Sequence, residues 1–297
     1  MTRAAAPRAL DHLVLPVEDL EVAAARYAAL GFAVAPAAAH PFGTSNACVY
    51  LADGVYLEPL AVTDKALAEA AAKAGNSFVA HDRKFRRTAG PEGFSALVLA
   101  TNDAEADDLA FRRSKISGGP PLDFARPFVD ASGKSDSAAF RLAFAADNQS
   151  SKPFFFSCQR VRSPSVDRSA LQRHANGVTG LRHVAAAADD PRDHIDFFGA
   201  LLGTKLASLD RNVIHYDMAN VAFSVWRRDA LNDRFGTRID ARGHGLSLRV
   251  IGFSCADAAA LLRILEAGKV DYRLEDHLVI VPPAKGQGAT LVFESKT

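Results

Sequence analysis

The first 62 residues alternate between short apolar runs and an amphipathic segment. An apolar run at residues 13–17 predicts a buried strand. Asp19 then stands where a helix N-cap is expected, apolar residues recur at helical spacing, and Gly31 supplies a stop signal. Strand candidates follow at residues 32–35, 47–51 and 55–60. The segment therefore predicts the element order βαβββ.

The same pattern recurs at long spacing. His12 and Asp19 are seven positions apart, and so are His183 and Asp190. A third copy with the same offset begins at Ala96, and a fourth, looser copy follows further along the chain. Repetition of this period indicates supersecondary units that must pack against one another.

We therefore expect a mixed α+β fold in which four βαβββ modules pair into two domains with cup-shaped sheets. The modules are predicted at residues 9–62, 93–161, 178–227 and 243–296. The two domains would cover residues 8–161 and 178–297. An alanine-rich helical connector, a polar linker and a short helix would join the modules, at residues 65–87, 162–177 and 228–235.

The composition argues against several classes of protein. Lys and Arg number 35 against 34 Asp and Glu, so the net charge of +1 provides no field for nucleic acid. No apolar stretch approaches the ~20 residues of a membrane helix. The 3 cysteines lie far apart, which favours reduced thiols over a disulfide or zinc framework. We expect a cytoplasmic protein whose partner is a small molecule, with neither nucleic acid nor membrane as a partner.

Candidate chemistry lies where paired modules enclose a cup, because one helix per module cannot cover the curved sheet. Residues on the first and last strand of each module would point into that cup. In chain order the modules offer His12 with Glu58; Ala96 with Ser157 or Gln159; His183 with Ser224; and a residue within 247–250, such as Leu248, with Glu294.

These positions resemble the vicinal oxygen chelate superfamily, which includes glyoxalase I, bleomycin-resistance proteins and extradiol dioxygenases. The first module carries the resemblance best, through residues 40–46 and Tyr56-Leu57-Glu58, and residues 154–159 and 172–177 are similar to two-domain members. The resemblance implies His or Glu ligands to a divalent metal such as Mn, Fe, Ni or Zn. It also implies a substrate that chelates through two adjacent oxygens, with the metal as Lewis acid.

The resemblance makes four residues candidate metal ligands: His12, Glu58, His183 and Glu294. Pairing of consecutive modules, which chain adjacency favours, would leave two incomplete sites. A swapped pairing of the first module with the fourth would collect His12, Glu58 and Glu294 in one cup and leave His183 in the other. Three ligands hold an ion better than two, so we predict the swapped arrangement, with sequential pairing as the alternative.

Glu58 is also the candidate catalytic residue, since a carboxylate beside a chelated substrate can move a proton. Its position in an apolar strand requires a cation, a hydrogen-bond partner or water. Candidate substrate-binding residues are His40, Asn46, Arg126, Arg141 and His174. The alternatives are a turn built on Asn and Gly for His40 and Asn46, surface ion pairing for Arg126 and Arg141, and polar decoration of the linker for His174.

Two functions therefore stay open. The first is a metal-dependent enzyme of the glyoxalase or dioxygenase kind, acting as a lyase, isomerase or dioxygenase on a small molecule with vicinal oxygens. The second is a binding protein of the bleomycin-resistance type that keeps the cup without the metal. A homodimer is compatible with either function.

Overall fold

A computed structural model describes residues 6–129, 135–150, 152–164, 167–237 and 244–295, so the expected end points 243, 296 and 297 lie outside it. Within these ranges the strands form two sheets. The first sheet contains β1 (Leu10–Pro16), β2 (Ala38–Ala39), β3 (Thr44–Asn46), β4 (Val49–Tyr50), β5 (Tyr56–Val62), β6 (Ala96–Thr101), β7 (Leu122–Val129), β8 (Ser135–Ala145) and β9 (Phe154–Arg162). The second contains β10 (Val178–Ala188), β11 (Ser208–Leu209), β12 (Val213–Asp217), β13 (Ala222–Arg227), β14 (Ser247–Cys255), β15 (Arg273–Glu275), β16 (Leu278–Val281) and β17 (Thr290–Ser295).

Aspartate caps start the helix that follows the first strand of each module. The Asp19 side chain accepts hydrogen bonds from the backbone N–H groups of Glu21 and Val22, and Asp103 and Asp257 cap in the same way. The helices are α1 (Leu20–Ala29), α2 (Lys65–Lys73), α3 (Ser77–Ala89), α4 (Ala104–Arg113), α5 (Ile195–Leu202), α6 (Arg228–Phe235) and α7 (Ala258–Ala267), with a 3-10 turn at Pro191–His194 before α5.

The element order confirms four βαβββ modules in a mixed α+β fold, and in the first module one strand is divided into β3 and β4, which both pair with β5. In each module the first and last strands are parallel neighbours: β1 with β5, β6 with β9, β10 with β13 and β14 with β17. One strand prediction is wrong, because residues 32–35 form no strand. The Phe32 N–H bonds back to the Tyr27 carbonyl, so the chain leaves α1 in a turn and enters the sheet only at β2.

Module pairing is sequential. The antiparallel pair β1–β6 joins the first two modules, and β10–β14 joins the last two. The swapped arrangement is therefore wrong, since Glu294 on β17 belongs to the second sheet while His12 and Glu58 belong to the first. Adjacent modules pair because only short connections are then needed. The number of candidate metal ligands that a cup collects does not determine the pairing.

Two predictions about which side chains face the cups, one on β9 and one on β14, are wrong. Phe156 and Cys158 of β9 face the concave side of the first sheet together with Val98, whereas Ser157 and Gln159 point away from it. Leu248 of β14 likewise packs on the outer side of the second sheet, and Gly252 is the residue opposite His183. Strands buried on both faces carry no polar alternation that would assign a side, and a bulge between Ala185 and Ala186 shifts β14 further.

A shared core lies between the convex faces of the two sheets, where α1, α4, α5 and α7 pack. Aromatic contacts cross this core: Phe32 lies 5.4 Å from Phe253 between ring centroids, and Phe155 lies 5.6 Å from Phe198. Burial of this apolar surface holds the two sheets in one packed unit.

The concave faces are filled by the segments predicted only to connect modules. Phe78 and Val79 of α3 pack against the first sheet, and Leu231 and Phe235 of α6 pack against the second. The connectors therefore decide how much of each cup remains open. Among the described residues, no helix combines the length and apolar character that a membrane span requires.

Candidate functional site in the first cup

The parallel pairing of β1 with β5 places His12 and Glu58 on the same concave face, as the sequence predicts. Both side chains are buried, each residue being 4% exposed. His12 Nε2 lies 3.4 Å from Glu58 Oε2. The two groups are close enough to interact directly or to contact one ion or one bridging water.

Asp11 and Arg160 extend this pair away from the cup. His12 Nδ1 lies 2.7 Å from Asp11 Oδ1, and Arg160 Nη2 lies 2.8 Å from Asp11 Oδ2. Tyr56 stacks on the His12 ring with centroids 4.4 Å apart. The imidazole is therefore fixed in orientation by a carboxylate on each ring nitrogen and an aromatic ring on one face.

On its other side Glu58 meets three of the predicted substrate-binding residues. Asn46 Nδ2 donates a 2.6 Å hydrogen bond to Glu58 Oε1, and His40 Nε2 lies 3.7 Å from the same oxygen. Arg126 Nη1 donates to Asn46 Oδ1 at 3.4 Å. Residues from β3, β5, β7 and the turn before β3 therefore meet around one carboxylate.

The protonation state of each group in this cluster depends on its hydrogen-bond and charge partners. Burial alone would raise the pKa of Glu58, but the hydrogen bond and charge of His12, followed by His40 and Asn46, lower it to about 2. Burial alone would lower the pKa of His12, but Asp11 and Glu58 outweigh it and raise that pKa above 6.5. His12 and Glu58 thus form a buried ion pair near neutral pH.

His40 has the opposite character. Burial, reinforced by the charges of Arg126 and His12, lowers the pKa of His40 to about 4 despite the nearby Glu58 carboxylate. Its Nδ1 lies 3.0 Å from Thr44 Oγ1. His40 is therefore a neutral imidazole beside a charged pair, able to donate or accept one hydrogen bond.

The cluster lines a small cavity of ≈ 40 Å³. Apolar side chains from both modules and from α3 form the remaining walls: Phe42, Phe78, Phe124, Phe140, Leu142, Phe156 and Cys158. Phe124, Arg126 and Phe140 are half-buried, so the β7–β8 hairpin forms the side nearest to solvent. The cavity therefore has a polar floor, formed by His12, His40, Asn46 and Glu58, and walls formed by aromatic side chains.

The second cup is different. His183 packs against Gly252 and Phe235, and burial, reinforced by nearby Arg and His charges, lowers its pKa to about 4. Glu294 pairs with Arg182 and lies 3.4 Å from His277 Nε2. Ser224 Oγ accepts a 2.8 Å hydrogen bond from Trp226 Nε1. These contacts occupy Glu294 and Ser224 with neighbours of their own.

Two predicted substrate-binding residues lie away from the first cavity. Arg141 makes a bidentate ion pair with Asp123 on the surface, with Nε 2.7 Å from Oδ1. His174 Nδ1 accepts from the Ala33 N–H at 3.1 Å, and its Nε2 lies 3.0 Å from the Tyr50 carbonyl. Arg141 is a partly exposed strand residue and His174 ties the linker to the first module, so neither of these predicted substrate-binding residues lines the first cavity.

Sequence reasoning missed Asp11, Tyr56 and Phe78. Asp11 directly precedes His12, and a carboxylate beside a candidate ligand histidine is a usable signal for an orienting partner. Phe78 comes from a connector helix that no strand pattern associates with the cup. Only its three-dimensional packing reveals it.

The donor set bears directly on metal binding. The second module presents only apolar residues and a thiol to this face, namely Ala96, Val98, Phe156 and Cys158, and burial raises the pKa of the Cys158 thiol, so it stays protonated. Across the described ranges, no group of three or more His, Cys, Asp or Glu side chains is placed to hold a metal ion. The residues present therefore fit an ion pair better than a three-ligand metal centre.

Solved structures of the same fold include three proteins of different kinds. A hypothetical protein from Staphylococcus aureus is 15% identical, with a TM-score of 0.65 over 97% of this chain and 99% of that chain. A mutant 4-hydroxymandelate synthase from Streptomyces coelicolor is 13% identical (TM-score 0.62; 98% and 93% covered). A Mn(II)-bound glyoxalase from Novosphingobium aromaticivorans is 12% identical (TM-score 0.51; 98% and 82% covered). At these identities the likeness concerns the fold.

Sequence comparison supplies the family. No curated protein sequence matches the chain. The sequence profile of the glyoxalase-like domain matches residues 10–202, which span the first two modules, the linker and the start of the third module. This match covers more than half of the chain and includes His12, Glu58 and the whole first cavity. The chain therefore belongs to the glyoxalase-like domain family, within the vicinal oxygen chelate superfamily.

Proposed function

We propose that the first domain binds a small molecule with vicinal oxygens in the His12–Glu58 cavity, as a binding protein of the bleomycin-resistance type without a resident metal. One observation carries the proposal. The His12–Glu58 ion pair is complete in itself, since Asp11 and Asn46 satisfy its outer atoms, while the second module adds only Ala96, Val98, Phe156 and Cys158 to the same face.

The chemistry of the floor defines the ligand. Ionised Glu58 accepts a further hydrogen bond from a hydroxyl, and the Arg126 guanidinium, which lines the same cavity, donates to an adjacent oxygen. Aromatic walls such as Phe78 and Phe124 pack against a flat apolar body. A small planar molecule with two neighbouring hydroxyl or carbonyl oxygens satisfies both requirements.

Binding requires the cavity to widen. Its ≈ 40 Å³ holds water, whereas a benzene-sized ligand occupies a cavity of about 150 Å³. Phe124 and Phe140 on the β7–β8 hairpin are only half-buried, so rotating them outward exposes less new apolar surface than moving a core residue. We infer that the ligand enters from this side.

Calorimetric titration with catechol in chelator-treated buffer tests the proposal, with phenol as the probe lacking one oxygen. We expect catechol to bind more tightly than phenol, and His12→Gln to weaken catechol binding by about tenfold, equivalent to ~1.4 kcal/mol. Glu69→Gln on the exposed face of α2 is the matched control. Equal binding of the two probes, or no effect of His12→Gln, would contradict the proposal.

A metal-dependent enzyme is the second candidate, acting as a lyase, isomerase or dioxygenase. The 3.4 Å separation of His12 Nε2 and Glu58 Oε2 allows both to contact one ion, and Asp11 orients His12 as carboxylates orient metal-binding histidines. Bound Mn, Fe, Ni or Zn would supply Lewis acidity, and Glu58 would move the substrate proton. Metal analysis of protein purified without chelator separates the candidates: stoichiometric metal that His12→Gln and Glu58→Gln both abolish would replace the binding-protein proposal with this one.

A further inference from the structure

The second domain contains an open cleft that is independent of the first cavity. It has a volume of ≈ 830 Å³ and lies beside the end of α6 and the β15–β16 hairpin. A smaller cleft of ≈ 400 Å³ adjoins it, and the two share Thr237, Arg249 and Pro283. Arg249 therefore faces both volumes.

Arg249 lacks the compensation that a half-buried charge ordinarily has. Its Nε donates to Ser247 Oγ at 3.1 Å, but among the described residues no carboxylate pairs with its guanidinium. Burial and the charge of Arg228 both lower the pKa of Arg249. Arg228 is itself paired with Asp189, so the partly dehydrated guanidinium of Arg249 is the group that favours an anion beside it.

An unsatisfied polar atom lies in the same region. Thr290 lines the smaller cleft, is 1% exposed, and its Oγ1 has no hydrogen-bond partner within the described part of the chain. Buried polar groups without partners are uncommon in proteins, so the Thr290 hydroxyl can be satisfied by a ligand oxygen.

Other charged groups at the clefts are already engaged or exposed. The Glu92 carboxylate accepts the Gly286 N–H at 2.8 Å, and Arg273 Nη2 lies 3.0 Å from Glu275 Oε2. Asp271 and Lys285 are exposed at the rim. Arg249 thus remains the cation that is available to a ligand inside the cleft.

The wall beside Arg249 is apolar. Phe235, Tyr272, Ile280 and Pro282 line the larger cleft, with Phe235 6% and Ile280 2% exposed. A guanidinium next to such a wall recognises a molecule that has an anionic head and an apolar body.

We propose that this cleft is a second ligand site, which binds a small organic carboxylate through Arg249 and packs its apolar body against Phe235 and Tyr272. The bidentate donor geometry of arginine matches a carboxylate. The site is separate from the His12–Glu58 cavity and does not depend on the function proposed for it.

Benzoate tests this site, with benzamide as its neutral counterpart and inorganic phosphate as an anion without an apolar body. By calorimetry we expect benzoate to bind more tightly than either. Arg249→Gln should weaken benzoate binding at least tenfold, and Arg249→Lys should weaken it less because the charge is kept. Arg211→Gln, at an exposed turn of the same domain, is the matched control.

Stability measurements keep the test decisive. Because no carboxylate in the described part of the chain pairs with Arg249, ligand-free Arg249→Gln should unfold at the same temperature as the parent protein or higher. If that variant fails to fold, the Lys variant carries the comparison. Equal benzoate affinity in parent and Arg249 variants, or equal binding of benzamide or phosphate, would overturn the proposal. His12→Gln should leave benzoate binding unchanged, which separates this outcome from failure of the first site.

Discussion

Replacement of Glu58 by Gln tests whether the buried ion pair is charged in the folded protein. The pKa of Glu58 falls from 4.5 to about 2 on folding, because His12, His40 and Asn46 favour the carboxylate more than burial opposes it. Each tenfold change in proton affinity is worth ~1.4 kcal/mol, so the interaction stabilises the fold by about 3 kcal/mol. Gln keeps the size of the side chain and removes the charge, so Glu58→Gln should lower the free energy of unfolding by that order.

The dependence on pH follows from the direction of the pKa shift. Because the folded-state pKa lies below the unfolded-state value, Glu58 contributes its full stability above pH 4.5 and loses it as the pH falls toward 2. The difference between parent and Glu58→Gln should therefore be constant near neutral pH and shrink in acid. Part of the raised pKa of His12 reports this same interaction with Glu58 and the rest comes from Asp11, so the shifts of the two groups are not added together.

Urea unfolding followed by circular dichroism, at pH values from about 7 down to about 3, measures this difference. Glu69→Gln is the control, since Glu69 is an exposed carboxylate whose partner Lys73 lies 3.0 Å away on the same helix. We expect the control to change stability little at any pH. A Glu58→Gln effect as small as that of the control, or one that does not diminish in acid, would refute the charged pair.

Two further predictions concern neighbouring positions. Asp11→Asn removes a hydrogen bond and a charge that raise the pKa of His12, so that pKa, followed by NMR titration, should fall relative to the parent; an unchanged value would show that Asp11 does not tune the imidazole. Gly252→Ala would place a Cβ 2.1 Å from His183 Nδ1, so thermal unfolding should reveal a loss of about 1–3 kcal/mol, whereas Gly199→Ala, whose Cβ meets nothing closer than 3.9 Å, should not lose stability.

The sequence by itself determined the modules and their helix starts. The aspartate caps and apolar runs act within a few residues of one another, so their consequences are visible in the linear order: Asp19 caps α1 as predicted, and Asp103 caps α4 in the same way. The same holds for His12 with Glu58. Parallel pairing of the first and last strand within a module places them on one face, and no other module takes part.

The tertiary structure decided everything that depends on which surfaces meet. Sequential pairing removed Glu294 from the first cup, because the energy of joining neighbouring strands does not depend on how many ligands a cup collects. The face taken by Cys158 rather than Ser157 could not be predicted, since β9 is apolar on both sides where it is buried. Asn46 contacts Arg126, and the charge of Arg249 is left uncompensated, because segments distant in sequence pack together. Local sequence patterns do not predict such packing.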